Sequence, residues 1–268
     1  MIIINADDFG RSVEETNTAA ALVRNERVTS VSAMVFMRDS ERAADVAADL
    51  KVEVGLHLNF SERWNGDNVP GSLAMQQESL VSYLGRNPYA RLVYNPGLRH
   101  AFRDVYEAQV QEFRRLYGRA PSHLDGHHHQ HLCANMLINP LIPRGCRVRR
   151  NFTFEPGEKG ILNRAYRRFV DACLRRRYVL TDHFFSLQQC LSGRGRPLRR
   201  VADLAKTGNV ELMTHPRNAA EYDCLTGSQF ATLFESIEAG NGRQDVTQKR
   251  VEEYILLGAL VANLLQAL

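Results

Sequence analysis

Short apolar or alternating runs alternate along the chain with longer stretches of helical period, the pattern of a repeated strand and helix unit and a mostly parallel sheet. About seven strands are expected, at residues 1–6, 28–36, 52–60, 123–127, 146–150, 179–186 and 209–215. Helical segments fall near residues 13–25, 39–50, 98–117, 162–177 and 198–207. Two closing helices are expected near residues 228–239 and 249–268. The fold class read from this order is α/β, a barrel-like arrangement in one domain spanning residues 1–268. Residues 61–96 carry Gly66, Pro70, Gly71, Gly85, Pro88 and Pro96, so this stretch reads as a long insertion loop after the third strand, placed to line a substrate groove.

In such sheets chemistry gathers at the carboxyl ends of the strands. Reading each expected strand to its end gives Asp7 and Asp8, then His57 and Asn59, Asp125 and His127, Arg150, Asp182 and His183, and finally His215. Chance would scatter such groups over both ends and both faces. Asp7 and Asp8 follow an Ile-rich strand, and two adjacent carboxylates near a buried strand end repel unless a cation or donors offset them. Ser12 is the better candidate for capping the helix that follows. In residues 52–60 the odd positions are polar or small, so His57 and Asn59 share a face.

The segment from His123 to His131 holds five histidines. If it ran extended, His123, Asp125, His127, His129 and His131 would share one face. The outer two would lie roughly 26 Å apart at the strand rise. One or two of them can therefore bind an ion, and the rest orient those ligands or contact substrate. His215, followed by the strand-ending Pro216, suits a general acid.

The bulk numbers narrow the setting. The 268 residues carry 44% hydrophobic and 24% charged residues, ordinary for a globular chain with no disordered composition. The net charge of +4 comes from scattered Arg without aromatic interleaving, which argues against a nucleic-acid partner. Five widely spaced cysteines without a CxxC pair point to free thiols. With no signal-peptide pattern and a C-terminal apolar run too short to span a bilayer, a cytoplasmic protein without membrane association is expected. A homodimer is left open.

Four motifs in register, NADDFG, GLHLN, HLDGHHHQH and ELMTHP, resemble those of the YdjC-like carbohydrate deacetylases, the group that includes chitooligosaccharide deacetylase. TDHFF at residues 181–185 also fits. Gln130 stands where Val is usual, beside the histidine-rich motif. The resemblance implies a distorted (β/α) barrel of the polysaccharide-deacetylase kind, one divalent ion (magnesium or zinc) and hydrolysis of an N-acetyl group on a sugar. Carried over by motif, Asp8, His57 and His127 become metal ligands, Asp7 the catalytic base and His215 the acid. Asn59, Asp125, His129, His131 and Arg150 become substrate or supporting residues, with Arg147 or Arg150 holding Asp7 or the substrate. The competing expectations are another metallohydrolase, acting on phosphoester or amide bonds, and a non-catalytic sugar-binding protein with a structural metal.

Overall fold

The computed structural model describes residues 1–154, 157–192 and 197–233. The expected helix at 249–268, and the part of the 228–239 helix beyond residue 233, lie outside the described residues. In chain order the strands and helices are β1 (Ile2–Phe9), α1 (Val13–Arg24), β2 (Ser30–Ala33), α2 (Ser40–Leu50), β3 (Glu53–Leu58), α3 (Gly71–Gly85), α4 (Arg99–Tyr117), β4 (Leu124–Gly126), α5 (Ala134–Ile138), α6 (Ile161–Arg175), β5 (His183–Ser186), α7 (Leu187–Leu191), α8 (Leu198–Ala205), β6 (Val210–Thr214) and α9 (Ala219–Thr226).

The six strands form one curled sheet in the order β4-β3-β2-β1-β6-β5, with every neighbouring pair parallel. Parallel neighbours need long crossovers, and α1 and α2 supply the first two. The outward face is apolar: Ile4, Ala6, Val31, Ala33, Val54, Leu56, Leu124 and Leu212 are all buried. The inward face holds Asn5, Asp7, Ser32, His57, Asp125 and Glu211, which are also buried. A core sealed by apolar outer packing thus encloses a polar interior, which must be hydrogen-bonded or charge-paired throughout.

The strand expected at 146–150 is not regular. It forms isolated bridges, Leu124 to Val148 on one side and Arg147 to Val179 on the other, and so spans the open side of the half-barrel between β4 and the approach to β5. The cause lies next door. The chain leaves β4 after three residues because His128 and His129 adopt left-handed conformations, φ 52° and 57°, and turn it into a short 3-10 segment over His127–Leu132. There is too little extended partner for a full ladder.

The insertion is also more ordered than a loop. It contains the fifteen-residue α3, which buries Gln77, Leu80 and Leu84. Ser12 does cap α1, its Oγ accepting from Glu15 N and donating to the Glu15 carboxylate. All five cysteines are free thiols. No helix among the described residues is long and apolar enough to cross a membrane.

Candidate metal centre and acid-base site

β1 delivers two consecutive carboxylates to one place, which simple strand alternation forbids. The register between β1 and β2 shifts between Ala6 and Phe9, and Asp8 sits at φ 64°. A bulge with one left-handed residue resets the alternation, so Asp7 and Asp8 both reach the site. Asp tolerates this conformation better than most residues, yet it remains a strained choice of the kind found at functional positions.

β3 and β4 run in register with His57 opposite Asp125. His57 Nδ1 lies 2.8 Å from Asp125 Oδ1, which turns His57 Nε2 toward Asp8 Oδ1 at 3.3 Å. At the end of β4, His127 Nδ1 lies 2.9 Å from the same Asp8 oxygen. One potential ligand atom from each of Asp8, His57 and His127 falls within 4.8 Å of the other two, and all three residues are buried. One carboxylate with two imidazoles, one ring already held from behind by a carboxylate, is a donor set suited to a divalent ion with open positions.

The protonation of this cluster follows from its contacts. Burial works against a charge on His57, but Asp125, Asp7 and Asp8 outweigh it and raise its pKa to about 10. Burial also opposes ionisation of Asp8, yet bonds from His127 and His57 hold it far below the usual carboxylate range. His127 is raised, against burial, by Asp8 and Glu62. Two imidazoles drawn toward the charged form thus crowd one carboxylate oxygen where a divalent ion would serve the same charge balance.

Beside the cluster, Arg149 is fully buried among three carboxylates. It grips Asp7 in a fork, Nη1 to Oδ2 and Nη2 to Oδ1 at 2.7 Å each. Its Nη2 also lies 2.7 Å from Asp125 Oδ2, and its Nε donates to Glu211 at 2.5 Å. Burial disfavours the charge on this guanidinium, but Asp125, Asp7 and Glu211 raise its pKa further. Burial pushes Glu211 in the protonated direction. A buried Arg shared in this way fixes Asp7 in position as few other groups can.

Arg149 is the correction to the sequence reading. Arg150 points outward, where its guanidinium pairs with Asp171 on α6 and donates to the Asp182 carbonyl. Arg147 pairs with Glu53 near the strand starts. Alternation places 147 and 149 on the inner face and 150 on the outer, a parity signal present in the sequence and overridden by attention to the last residue of the strand.

His129 and His131 also lie elsewhere than an extended chain would put them. The left-handed turn packs His129 edge-on against Phe152 and Phe184, and His131 Nε2 bonds the Arg149 carbonyl at 3.0 Å. Burial lowers both pKa values, to about 4 for His131. Asn59 accepts from Ser61 N and Glu62 N and donates to the Glu62 carbonyl. It therefore shapes the start of the insertion rather than reaching into the groove.

Glu62 itself was invisible in the sequence pattern, being a charged residue in an expected loop. Its Oε2 lies 3.0 Å from His127 Nε2 and 2.9 Å from Arg11 Nη2. Asp7, Asp8 and His215 line a groove of about 330 Å³, with Arg11 and Arg217 at its rim. His215 is held by its backbone, its N–H donating to the buried Glu221 carboxylate at 2.9 Å.

A profile of the YdjC-like protein family matches residues 1–263. The chain belongs to this family. A carbohydrate deacetylase of Mus musculus is 30% identical over 249 residues, covering 80% of this chain and 77% of the relative. The Homo sapiens carbohydrate deacetylase is likewise 30% identical, over 80% of this chain and 74% of its own length. The chitooligosaccharide deacetylase of Citrobacter koseri is 31% identical over 134 residues, about half of each chain. In fold, a crystal structure from Enterococcus faecalis V583, described as a candidate cellobiose-phosphate cleavage protein, superposes with a TM-score of 0.59 at 19% identity, covering 88% of this chain and 94% of that one.

Proposed function

We propose that this YdjC-like protein is a metal-dependent carbohydrate N-deacetylase that hydrolyses the N-acetyl amide of a sugar or oligosaccharide and releases acetate. The observation that carries the reading is the convergence of Asp8, His57 and His127 beside the Arg-gripped Asp7, with Asp7, Asp8 and His215 lining one groove. Relatives matched over most of their length are carbohydrate deacetylases, which supports the same substrate class.

Asp8, His57 and His127 are the residues that would hold the ion. A divalent ion bound there supplies electrophilic polarisation of the acetamide carbonyl and acidifies water at neutral pH. The two imidazoles suit zinc, and the carboxylate with open positions also admits magnesium.

Asp7 acts as the base, taking a proton from the attacking water. Arg149 holds both its oxygens, which restricts its rotation and aims it into the groove. His215, on the same groove at the end of β6, delivers a proton to the departing nitrogen. Asp125 orients His57, and Glu62 stands behind His127. Glu62, at the start of the insertion, reaches the groove through its pair with Arg11.

Acetate release from a panel of N-acetylglucosamine oligomers tests the proposal. Activity is expected with zinc or magnesium, lost on chelation and restored by the ion. Deletion of residues 65–71 should lower efficiency most on the longer oligomers. No acetate from any N-acetylated sugar by protein shown to bind the ion would leave a metal-containing sugar-binding protein, and release of phosphate from sugar phosphates instead would place the chemistry elsewhere.

A further inference from the structure

Beneath the metal cluster lies a group of buried side chains that meets the site through Asp7 and His57. Ser32 on β2, wholly buried, is their hub. Its Oγ is 2.8 Å from Asp125 Oδ2, 2.8 Å from Asn5 Nδ2 and 3.0 Å from His123 Nε2. A serine hydroxyl has one hydrogen and two lone pairs, so three partners determine every direction.

Asn5 Nδ2 only donates, so Ser32 accepts from it. Asp125 already takes Arg149 on Oδ2 and His57 on Oδ1, and its ionised carboxylate only accepts. The single hydroxyl hydrogen therefore goes to Asp125. That leaves His123 to donate from Nε2 and to accept on Nδ1 from Ser122 Oγ at 2.9 Å. A neutral ring meets this requirement, and burial keeps the pKa of His123 down at about 4. The second hydrogen of Asn5 Nδ2 goes to Asp7 Oδ1 at 2.8 Å.

The hydrogens of this network run one way, from His123 and Asn5 through Ser32 to Asp125. Asp125 is then held with acceptor capacity alone facing His57, so His57 Nδ1 must carry a hydrogen and Nε2 is the nitrogen turned to Asp8. Asn5 ties the same hub to Asp7. The network also explains Gly55 on β3. A Cβ there would lie 2.3 Å from His123 Nε2, leaving no room for the ring under Ser32.

We infer that Ser32 is a positioning residue that, through Asp125, aims His57 Nε2 at the ion and, through Asn5, steadies Asp7 beside it, and so sets the metal affinity of the centre. This rests on the metal-dependent reading above and adds Ser32, Asn5 and His123, which that reading does not use.

The test is zinc binding by the full chain, measured by chelator competition, alongside thermal unfolding of each variant. Ser32→Ala is expected to weaken zinc binding about tenfold, in the range seen for groups that orient metal ligands. Ser32→Cys keeps the volume with a much weaker donor and should weaken binding several-fold. Ser32→Thr retains the hydroxyl and should restore affinity to within about threefold of wild type. If Ser32→Ala and Ser32→Cys lower the melting temperature but bind zinc as wild type does, the inference is overturned and the metal site stands. A wild-type chain that binds no zinc overturns both.

Discussion

At the scale of single residues, the two neighbouring carboxylates of β1 have separate partners, from which their proposed roles follow. Asp7 is gripped by Arg149 and faces the groove, whereas Asp8 meets the two imidazoles. Asp7→Asn should therefore cut turnover by about 10²–10⁴-fold, the usual worth of a general base, with zinc content unchanged. Asp8→Ala should lose activity and zinc together, and elemental analysis beside the kinetics separates the two. Zinc lost in Asp7→Asn and retained in Asp8→Ala would reverse the roles. A pH effect belongs to the same residues. The pKa of His57 in the folded, metal-free protein is raised from 6.5 to about 10. A raised pKa contributes stability that is fully present below about 6.5 and is lost as pH climbs through about 10. Chelator-treated protein should melt at progressively lower temperature from pH 7 to 10, and His57→Asn should flatten that slope. An unchanged slope in the variant would show that His57 is not the group responsible.

Among the elements, long periodic segments were legible and irregular ones were not. The strand and helix alternation follows from the run of apolar and helical-period segments, and the inward facing of His57 follows from residue parity in β3. The placement of Asp125 opposite His57 needed the β3–β4 register, which no single strand reveals. The left-handed turn at His128 and His129 could not be read from a run of histidines that suits an extended chain equally well. α3 was hidden because glycines and prolines at its borders outweighed a modest apolar pattern inside. Arg149 was hidden only by choosing the strand's last residue over its inner face. Parity at β3 yields a prediction of its own. Gly55→Ala drives a methyl into the His123 ring, which Ser32 and Ser122 hold in place. Overpacking of this kind costs about 1–3 kcal/mol, and a denaturant melt should show a loss at least that large. A neutral outcome would mean that the ring can move aside.

For the molecule as a whole, the curled sheet wraps a polar interior in an apolar shell and opens at the carboxyl ends of its strands. Buried charge is tolerated there because each charged group is matched: Arg149 by three carboxylates, and Asp8 by two imidazoles. The candidate ligands from β1, β3 and the end of β4 are brought together by the curl of the sheet, so an ion bound there would report on the fold itself. Anomalous diffraction at the zinc edge, from crystals of the chain grown with zinc, tests this most directly. The account predicts one strong peak bounded by Asp8, His57 Nε2 and His127 Nδ1, absent in Asp8→Ala crystals. A peak held by other residues, or none between these three in zinc-saturated protein, would contradict it.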